Sequence, residues 1–490
     1  MKKLYFLLIA LPALLLVPST TQAKRLQAFM SYATFCSPTD GPYIETYTTV
    51  VGKSVVFVQK PNGKWQGTIE LTLIFKQDSV VRDFKKINLL SPELDDTTNV
   101  NINFIDQQRF LLPNGTYKVE ISISDKNDKA IPYNSDETIT IDYPAGKAAV
   151  SGIEFIESIR ASQTTTVLSK SGYDLVPYIL NYFPESVSKL TFYAEVNNAD
   201  KIVGENQKYL LSSFIETYET NQLYGEYIKV KKETAKQVNV LINEFDISLL
   251  PTGNYNLVIE VRNQKNEIVA SNKLFFRRNN PEYQPAENDL SQVKTVNSFV
   301  EKITSADTLK DWIKCLFPIS SESERSYARI QIKKNDLASM KQYFLFFWQA
   351  RDVQNPEKAW LTYYQEVQKV NNDFGTPIKK GYATDRGRVY LQYGPPNSRI
   401  QVLDDPDAYP YEIWHYHSLA NQQNKRFVYY NRDLISNDYE LIQSDAKGEV
   451  SDYRWKLKIY SRNSVTTDID SDAYIPHYGS KIDDYYNNPR

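Results

Sequence analysis

Five polar side chains in the last third of the chain could do acid-base chemistry: Asp352, Asp385, Arg386, Arg388 and Glu412. Two carboxylates such as Asp385 and Glu412 would suit a hydrolase or a glycan-processing enzyme, with one acid as the proton donor and the other as the base or nucleophile. The competing interpretation is local. A Thr-Asp-Arg-Gly run is typical of a turn in which the aspartate binds nearby backbone amides and the glycine has a positive φ.

We favour this structural interpretation, because turn chemistry explains these residue types at this spacing. Arg386 or Arg351 would then pair with Asp352 or Glu412 inside a domain. The polar residues between Thr384 and Arg388 would shape a bend in the backbone and leave no group poised to react.

Other reactive patterns are weak. His415 and His417 form a His-x-His pair that could chelate zinc or copper from one face of a strand, but the sequence has just one further histidine, His477. The sequence has no Gly-x-Ser-x-Gly nucleophile elbow, and its 17 glycines form no phosphate-binding loop. We therefore predict no catalytic residues, no metal ligands, and no cofactor or cofactor-binding residues, and we leave open whether the protein is an enzyme.

The segment 381–396 carries most of these polar residues, and it reads Gly-Tyr-Ala-Thr-Asp-Arg-Gly-Arg-Val-Tyr-Leu-Gln-Tyr-Gly-Pro-Pro. It predicts a polar turn, an alternating strand over 388–393, and a stop at Gly394 and Pro395. Two helices are predicted before it, because 337–348 and 356–374 repeat apolar residues at helical spacing. The second helix has a good start signal, with Asn355 as N-cap and Pro356 in its first turn.

Short alternating segments follow the motif and predict a small antiparallel sheet. The predicted strands are 411–416, 426–431, 439–443 and 455–460. Helices followed by such a sheet indicate an α+β domain, which we place at 293–466. A Pro- and Asn-rich linker at 279–292 precedes it, and a polar tail at 467–490, expected to be loose, follows it.

The first half of the chain contains an internal sequence repeat. The run at 111–117, Leu-Leu-Pro-Asn-Gly-Thr-Tyr, returns at 249–255 as Leu-Leu-Pro-Thr-Gly-Asn-Tyr, and an alternating strand follows each copy. Many short alternating strands without helical periodicity indicate Ig-like antiparallel β-sandwiches. We predict one sandwich at 26–145 and a second at 148–278, which would space or present other parts of the protein.

The N-terminus predicts that the protein is exported. Residues 1–23 are predicted to be a cleavable signal peptide, since Lys2 and Lys3 precede an apolar stretch that is too short for a comfortable membrane span. The formal net charge of −2 favours neither nucleic acid nor an anionic membrane as a partner. Cys36 and Cys315 lie in different predicted modules, so we expect free thiols.

Several segments resemble the GWxTD-domain family, a group of bacterial cell-envelope proteins without an assigned chemistry. Residues 347–352 resemble its helical Phe-Trp-x-x-Arg-Asp segment, 381–396 its named motif, and 411–414 with 427–430 its later strands. The motif tryptophan is Tyr382 here, which keeps a ring and adds a hydroxyl. We expect the fold to tolerate that change, whereas a function that needed the indole would not carry over.

The resemblance implies a set of motif residues with structural or interaction roles. They are Trp348, Arg351, Asp352, Gly381, Tyr382, Thr384, Asp385, Arg386, Gly387, Arg388, Gly394, Pro395, Glu412 and Trp414. The hypothesis is an exported envelope protein, periplasmic or at the outer-membrane periphery, whose sandwich modules present a domain that docks a protein or cell-wall partner. The alternatives are a hydrolase that uses Asp385 and Glu412, and a carbohydrate-binding protein with exposed aromatic residues.

Overall fold

The protein is described by a computed structural model that covers residues 26–98, 100–128, 132–164, 166–281, 290, 293–419, 422–452, 454–462 and 480–487. Two β modules are followed by a mixed helical and β domain. The predicted signal peptide lies outside the described residues, as do most of the predicted linker and tail. None of the helices in the described part of the chain has both the length and the hydropathy that a membrane crossing requires.

The first module consists of two antiparallel sheets. Its strands are β1 (Ala28–Ser37), β2 (Gly41–Val51), β3 (Val58–Gln59), β4 (Trp65–Gln66), β5 (Thr68–Gln77), β6 (Val80–Leu90), β7 (Asn103–Leu111), β8 (Gly115–Asp125) and β9 (Tyr133–Ile141). The sheets have the orders β1-β2-β7 and β6-β5-β8-β9, and β3 pairs with β4. Because alternate residues face inward, both sheets share one core that includes Ile44, Leu71, Phe110 and Val119.

The second module also has two sheets around one core. Its elements are β10 (Ala149–Val150), β11 (Glu154–Ala161), β12 (Ser169–Lys170), β13 (Tyr173–Pro177), β14 (Tyr182–Phe183), β15 (Lys189–Asn197), helix α1 (Ala199–Val203), β16 (Lys208–Thr217), β17 (Leu223–Thr234), β18 (Val238–Asp246), β19 (Gly253–Arg262) and β20 (Ile268–Arg278). One sheet has the order β10-β15-β11-β13-β12 with β18 on β15, and the other has the order β14-β20-β19-β16-β17. All pairs are antiparallel except β14 with β20.

The internal sequence repeat corresponds to a repeated topology. The order β17-β16-β19-β20 repeats β6-β5-β8-β9, and β11-β15-β18 repeats β1-β2-β7. In each copy the turn tyrosine donates a hydrogen bond to a proline carbonyl four residues earlier, from Tyr117 to Pro113 at 2.8 Å and from Tyr255 to Pro251 at 3.1 Å. The counterpart of β5 is β16. Strand β15 has an alternating pattern like that of β5, but it lies in the opposite sheet.

A buried charge network joins the two modules. Lys170 of the second module places its Nζ 2.6 Å from Glu45 Oε2 of the first module and 2.8 Å from Glu154 Oε2 of its own module. The same ammonium lies 3.8 Å from the centre of the Phe35 ring. Arg109 donates to Glu45 and to the carbonyl of Ser169 across the same interface. Because each buried charge has a partner of opposite sign, the interface fixes one arrangement of the modules.

The C-terminal domain has the predicted α+β plan. Its elements are α2 (Ala306–Cys315), α3 (Glu322–Lys334), α4 (Leu337–Gln349), α5 (Pro356–Phe374), α6 (Asp385–Tyr393), β21 (Ser398–Val402), β22 (Tyr411–Leu419), β23 (Gln422–Tyr430), β24 (Glu440–Ser444), α7 (Trp455–Ile459) and α8 (Ile482–Asn487). The sheet has the order β21-β22-β23-β24. Its inner face packs with the helices around Phe344, Trp360, Phe374, Trp414 and Tyr429.

Three sequence expectations about this domain were wrong. Residues 388–393, predicted as a strand, belong to helix α6, and 455–460, also predicted as a strand, begins with helix α7. Within the predicted loose tail, α8 packs Ile482 into a core with Trp455 and Ile459. Short segments with apolar neighbours fit both periods, so packing decided between them. Both cysteines are free, and Cys315 is buried.

Candidate functional site

The segment 381–396, which we term the signature segment, begins with a one-turn 3₁₀ helix, Gly381–Ala383, that leads directly into α6. Thr384 is the N-cap of α6, since its Oγ1 accepts from the Gly387 amide at 3.1 Å and donates to the Gly381 carbonyl at 2.8 Å. Gly394 ends the helix with a φ of 84°, and the exposed Pro395 follows it. The Thr-Asp-Arg-Gly run is therefore a helix start and not the predicted isolated turn.

Two glycines allow the backbone of this segment to cross α5 closely. A Cβ on Gly381 would lie 2.0 Å from the Val370 carbonyl oxygen, and a Cβ on Gly387 would lie 1.9 Å from the Gly381 carbonyl oxygen. Gly387 is helical and does not have the predicted positive φ. What selects glycine at both positions is the lack of space for any side chain.

Tyr382 occupies the motif position where the family has tryptophan. Its ring is buried, and its hydroxyl donates to Asp311 Oδ1 at 2.7 Å. The other oxygen of Asp311 forms an ion pair with Lys380. Burial, reinforced by Asp311, raises the pKa of the Tyr382 hydroxyl above its usual range. The extra hydroxyl is therefore a donor within the fold and is not available as a base near neutral pH.

Arg386 and Glu412 form a buried ion pair between α6 and β22. Arg386 Nη1 lies 2.8 Å from Glu412 Oε2, and both side chains are almost fully buried. The guanidinium also donates to the carbonyl and side chain of Asn437 and stacks over the Tyr439 ring at 4.2 Å. Glu412 accepts further bonds from Trp414 and from Arg399. This is one of the pairs that the sequence interpretation allowed.

Asp385 and Arg388 point to the other side of α6. Asp385 Oδ2 accepts from the amide of Leu441, a residue far along the chain and not a neighbour in the turn as predicted. Arg388 forms a two-pronged pair with Glu449, at 2.9 and 2.7 Å, and Tyr393 donates to the same carboxylate at 2.9 Å. Burial alone would lower the pKa of Arg388, but Glu449 raises it above its usual value.

Asp385 and Arg388 also line a cavity between the second module and the C-terminal domain, which we term the interdomain cavity. Its volume is about 390 Å³. The residues that line it are Tyr218, Glu219, Asn254, Arg277, Arg325, Asp385, Arg388, Gln392, Tyr393, Leu441, Lys447, Gly448, Glu449 and Val450. Next to it, Tyr218 Oη accepts from Gln422 Nε2 at 2.9 Å, so the two domains are in direct contact.

The Phe-Trp-x-x-Arg-Asp segment forms the end of α4 and the turn after it. Trp348 is buried, with its ring 5.8 Å from that of Trp360. Arg351 makes a two-pronged pair with Glu324, at 2.9 and 3.0 Å, and not with Asp352 or Glu412 as predicted. Asp352 Oδ1 accepts from the amides of Gln354 and Asn355 and so stabilises the start of α5.

The two candidate catalytic acids do not form a reactive pair. Glu412 is fully buried, and its oxygens are bound by Arg386, Arg399 and Trp414. Asp385 lines the interdomain cavity instead, where the other acids in the lining are Glu219 and Glu449. A hydrolase mechanism that uses Asp385 with Glu412 therefore has no shared cleft in which to work.

The His-x-His pair is a poor metal site in the described part of the chain. His415 Nε2 lies 2.6 Å from Asn424 Oδ1, and burial lowers the pKa of its imidazole. His417 is exposed. Among the described residues, no third His, Cys, Asp or Glu completes a group that could hold a metal ion.

Sequence reasoning missed the residues that bring the second module to the motif. Glu219, Arg277, Arg325 and Glu449 line the interdomain cavity, yet they lie on β strands, helices and loops far apart in the chain. No local pattern marks them. Only the docking of the two domains places them together.

A second concavity lies on the C-terminal domain, between residues 297–299 and the facing parts of α4 and α5. It has a volume of about 670 Å³, and we term it the amide groove. Its lining residues are Asn297, Ser298, Phe299, Leu345, Gln349, Gln354, Asn355, Pro356, Glu357, Lys358, Leu361, Thr362 and Gln365. Carboxamide side chains both donate and accept hydrogen bonds, so this lining suits a neutral polar surface.

Comparisons with solved structures give only distant likenesses. Fibronectin(III)-like modules of Clostridium thermocellum CbhA match with 9% identity and a TM-score of 0.14, over 48% of this chain and 85% of theirs. A putative beta-galactosidase from Bacteroides fragilis matches with 8% identity and a TM-score of 0.18, over 47% of this chain and 32% of its own. A Salmonella alpha-2-macroglobulin mutant matches with 14% identity and a TM-score of 0.16, over 52% of this chain and 16% of its own.

These TM-scores are too low to support a conclusion about this chain, which spans a third or less of the last two proteins. No curated protein matches it. The family comparison is more informative. Residues 274–455, which contain the glycine crossing, the Arg386–Glu412 pair and the sheet described above, match the model of the GWxTD domain. The C-terminal part of this protein thus matches the GWxTD domain, the family that its signature segment indicated.

Proposed function

We propose that this is an exported cell-envelope protein that acts by interaction and not by catalysis. Two Ig-like sandwich modules hold the GWxTD domain, which docks an envelope protein or a cell-wall component. In this proposal residues 1–23 are a cleaved signal peptide, and the mature protein works in the periplasm or at the outer-membrane periphery.

The observation that carries the proposal is that the charged side chains of the signature are committed inside the protein. Arg386 is paired with Glu412, Arg388 with Glu449, and Asp385 with the Leu441 amide. Groups held in this way build and orient a domain, whereas a catalytic acid or base needs access to a substrate and a proton. The signature is best explained as the framework of a docking domain.

The contacts between domains support a presenting role for the modules. The Lys170 network fixes the first module against the second, and the bond from Gln422 to Tyr218 fixes the second module against the GWxTD domain. Gln222 Nε2 adds a bond to the Ala350 carbonyl at 3.2 Å. In this proposal the modules hold the GWxTD domain in one orientation, which would lower the entropy cost of docking.

The amide groove is the surface on which we place the partner. Its carboxamides can satisfy backbone or sugar hydroxyl groups, and Leu361 adds exposed apolar area at the same place. This combination of an apolar contact and adaptable hydrogen bonds is suited to a protein or glycan surface of low charge.

Photo-crosslinking in cells tests the proposal. A photoreactive residue at Leu361, in the amide groove, is expected to give a discrete adduct with an envelope protein or with cell-wall material, identified by mass. The control carries the same residue at Ile435, which is highly exposed on the same domain but does not line the groove. Equal labelling at both positions, or no adduct at Leu361 from a stably folded protein, would contradict docking at this surface.

A further inference from the structure

The interdomain cavity has the size and position of a small-molecule site. Its volume of about 390 Å³ falls in the range of roughly 300–1,000 Å³ that is typical of ligand pockets, which often lie between domains. The docking proposal makes no use of this cavity. Its lining carries both signs of charge, and several of those charges are not neutralised within the protein.

Two cations in the lining form no ion pair with the residues that the structure describes. Arg277 and Lys447 also make no side-chain hydrogen bond there. Arg277 is exposed, whereas burial lowers the pKa of Lys447 and the charge of Glu137 opposes that shift. A third cation, Arg325, is only partly engaged, through Nε with Glu322 at 3.0 Å and through Nη1 with the Phe317 carbonyl at 3.2 Å. A carboxylate could accept from these guanidinium groups with favourable geometry.

One carboxylate oxygen in the same lining lacks a donor. Glu219 Oε1 accepts from Asn254 Nδ2 at 3.2 Å, but Glu219 Oε2 is buried without a hydrogen bond from any described residue. A buried carboxylate oxygen without a donor is costly, so native proteins rarely leave one without a protein, water or ligand partner. Burial also raises the pKa of the Glu219 carboxyl above its usual value.

We propose that the interdomain cavity binds a small zwitterion with a free amine and a free carboxylate, such as an amino acid or a short peptide. The ammonium group would donate to Glu219, and the carboxylate would accept from Arg277 and Arg325. Purely anionic ligands would leave Glu219 without its donor, and purely cationic ligands would face three basic side chains. The inference does not depend on the docking proposal.

Ligand-observed NMR and calorimetry with the purified protein test this assignment. The probes are glycylglycine, N-acetyl-glycylglycine, glycylglycinamide and inorganic phosphate, each at millimolar concentrations. We expect glycylglycine to bind about tenfold or more tightly than either blocked form. Equal binding of the acetylated peptide or of phosphate would show an anion site only and would overturn the proposal, as would no binding of glycylglycine.

Variants locate the binding. Glu219→Gln and Arg277→Gln are expected to weaken glycylglycine by about tenfold each, while the thermal midpoint of unfolding stays close to that of the parent protein. Matched controls are Glu226→Gln and Arg82→Gln, which change exposed residues outside the cavity. Binding that survives both cavity variants, or that falls equally in the controls, would place the ligand elsewhere and refute the assignment.

Discussion

Single residues of the signature have structural roles that their chemical types do not reveal. Arg386 and Glu412 have the types of a catalytic pair, yet both are almost fully buried, 2.8 Å apart and bound to further groups in the core. Burial of two charges is tolerated only when both are paired and hydrogen-bonded, and this requirement makes each partner dependent on the other.

The first prediction concerns this pair. Arg386→Gln leaves Glu412 buried with only the half-exposed Arg399 as a cation. Loss of one partner from a buried ion pair costs about 3–5 kcal/mol, so we expect a decrease of that size in the free energy of unfolding of the GWxTD domain. Urea titration followed by tryptophan fluorescence measures it, because most of the tryptophans lie in this domain.

The matched control is Arg399→Gln. Its side chain is 41% exposed and contacts the same carboxylate. Solvent around Arg399 screens its interaction with Glu412, and Arg386 still neutralises the buried carboxylate in this variant, so the control should lose less stability. Equal losses in the two variants would show that the buried pair has no special role.

Among the secondary-structure elements, α6 shows how packing overrides a local pattern. Its residues 388–393 alternate in a way that suggested a strand, but Thr384 caps a helix that packs closely on the 3₁₀ turn at Gly381 and on α5, so that no Cβ fits at Gly387. The helix signals were present in the sequence, with Thr384 before an aspartate and Gly394 after the last turn. These helix signals outweigh the strand period of residues 388–393.

The second prediction concerns Gly387→Ala. Alanine in place of a helical glycine usually stabilises a helix by about 1 kcal/mol. Here the added Cβ would lie 1.9 Å from the Gly381 carbonyl oxygen, so α6 would have to move away from the 3₁₀ turn that contains Gly381. We expect a loss of about 2 kcal/mol or more, as in overpacked cores, measured by the same titration. Stabilisation by this variant would show that α6 does not pack against this turn and α5 as described.

The third prediction concerns the repeated turns before β8 and β19. Tyr117→Phe and Tyr255→Phe each remove a hydroxyl that donates to a proline carbonyl. We expect each change to lower the stability of its module by about 1 kcal/mol, the usual net value of such a bond. Calorimetry of the full chain measures it. Tyr173→Phe, at an exposed tyrosine, is the control. Equal effects at all three positions would show that the two turn hydrogen bonds do not stabilise their modules.

At the scale of the whole molecule, charges between domains decide how the modules are held. Glu45 and Glu154 both accept from Lys170, but their pKa values shift in opposite directions. Burial opposes ionisation of Glu45, yet Lys170 and Arg109 hold its pKa below the usual 4.5. For Glu154, burial dominates and raises the pKa above 4.5, in spite of Lys170.

The fourth prediction follows from these directions. The contribution of Glu45 to stability is present above about pH 4.5 and is lost as the pH falls through its lowered pKa. The contribution of Glu154 is present below about pH 4.5 and is lost as the pH rises through its raised pKa. On acidification from about pH 7 to about pH 4, the free-energy cost of Glu45→Gln should therefore shrink and that of Glu154→Gln should grow.

Urea titrations at several pH values measure both costs. Glu157→Gln is the control, because this residue is exposed on the same strand as Glu154. If the free-energy costs of Glu45→Gln and Glu154→Gln changed with pH in the same direction, the two carboxyls would not have the opposite pKa shifts described above.

Much of this fold followed from local physical chemistry. The alternation along β5 and β8, the repeated Pro-x-Gly turn and the apolar stripes of α4 and α5 each reflect one buried face, and a buried face is visible in the spacing of apolar residues. The signature segment also identified the GWxTD domain. These features depend on residues that are close in the chain.

Tertiary structure alone decided the partners of the charged residues. The amino-acid sequence shows that Asp385, Arg388 and Glu412 are charged, but it does not show their partners. Asp385 binds a backbone amide, Arg388 pairs with Glu449, and Glu412 pairs with Arg386. These contacts depend on how α6 crosses α5 and how the second module docks. The interdomain cavity and the Lys170 network arise in the same way. Charge interactions act through space between groups far apart in the chain, and no local spacing records them.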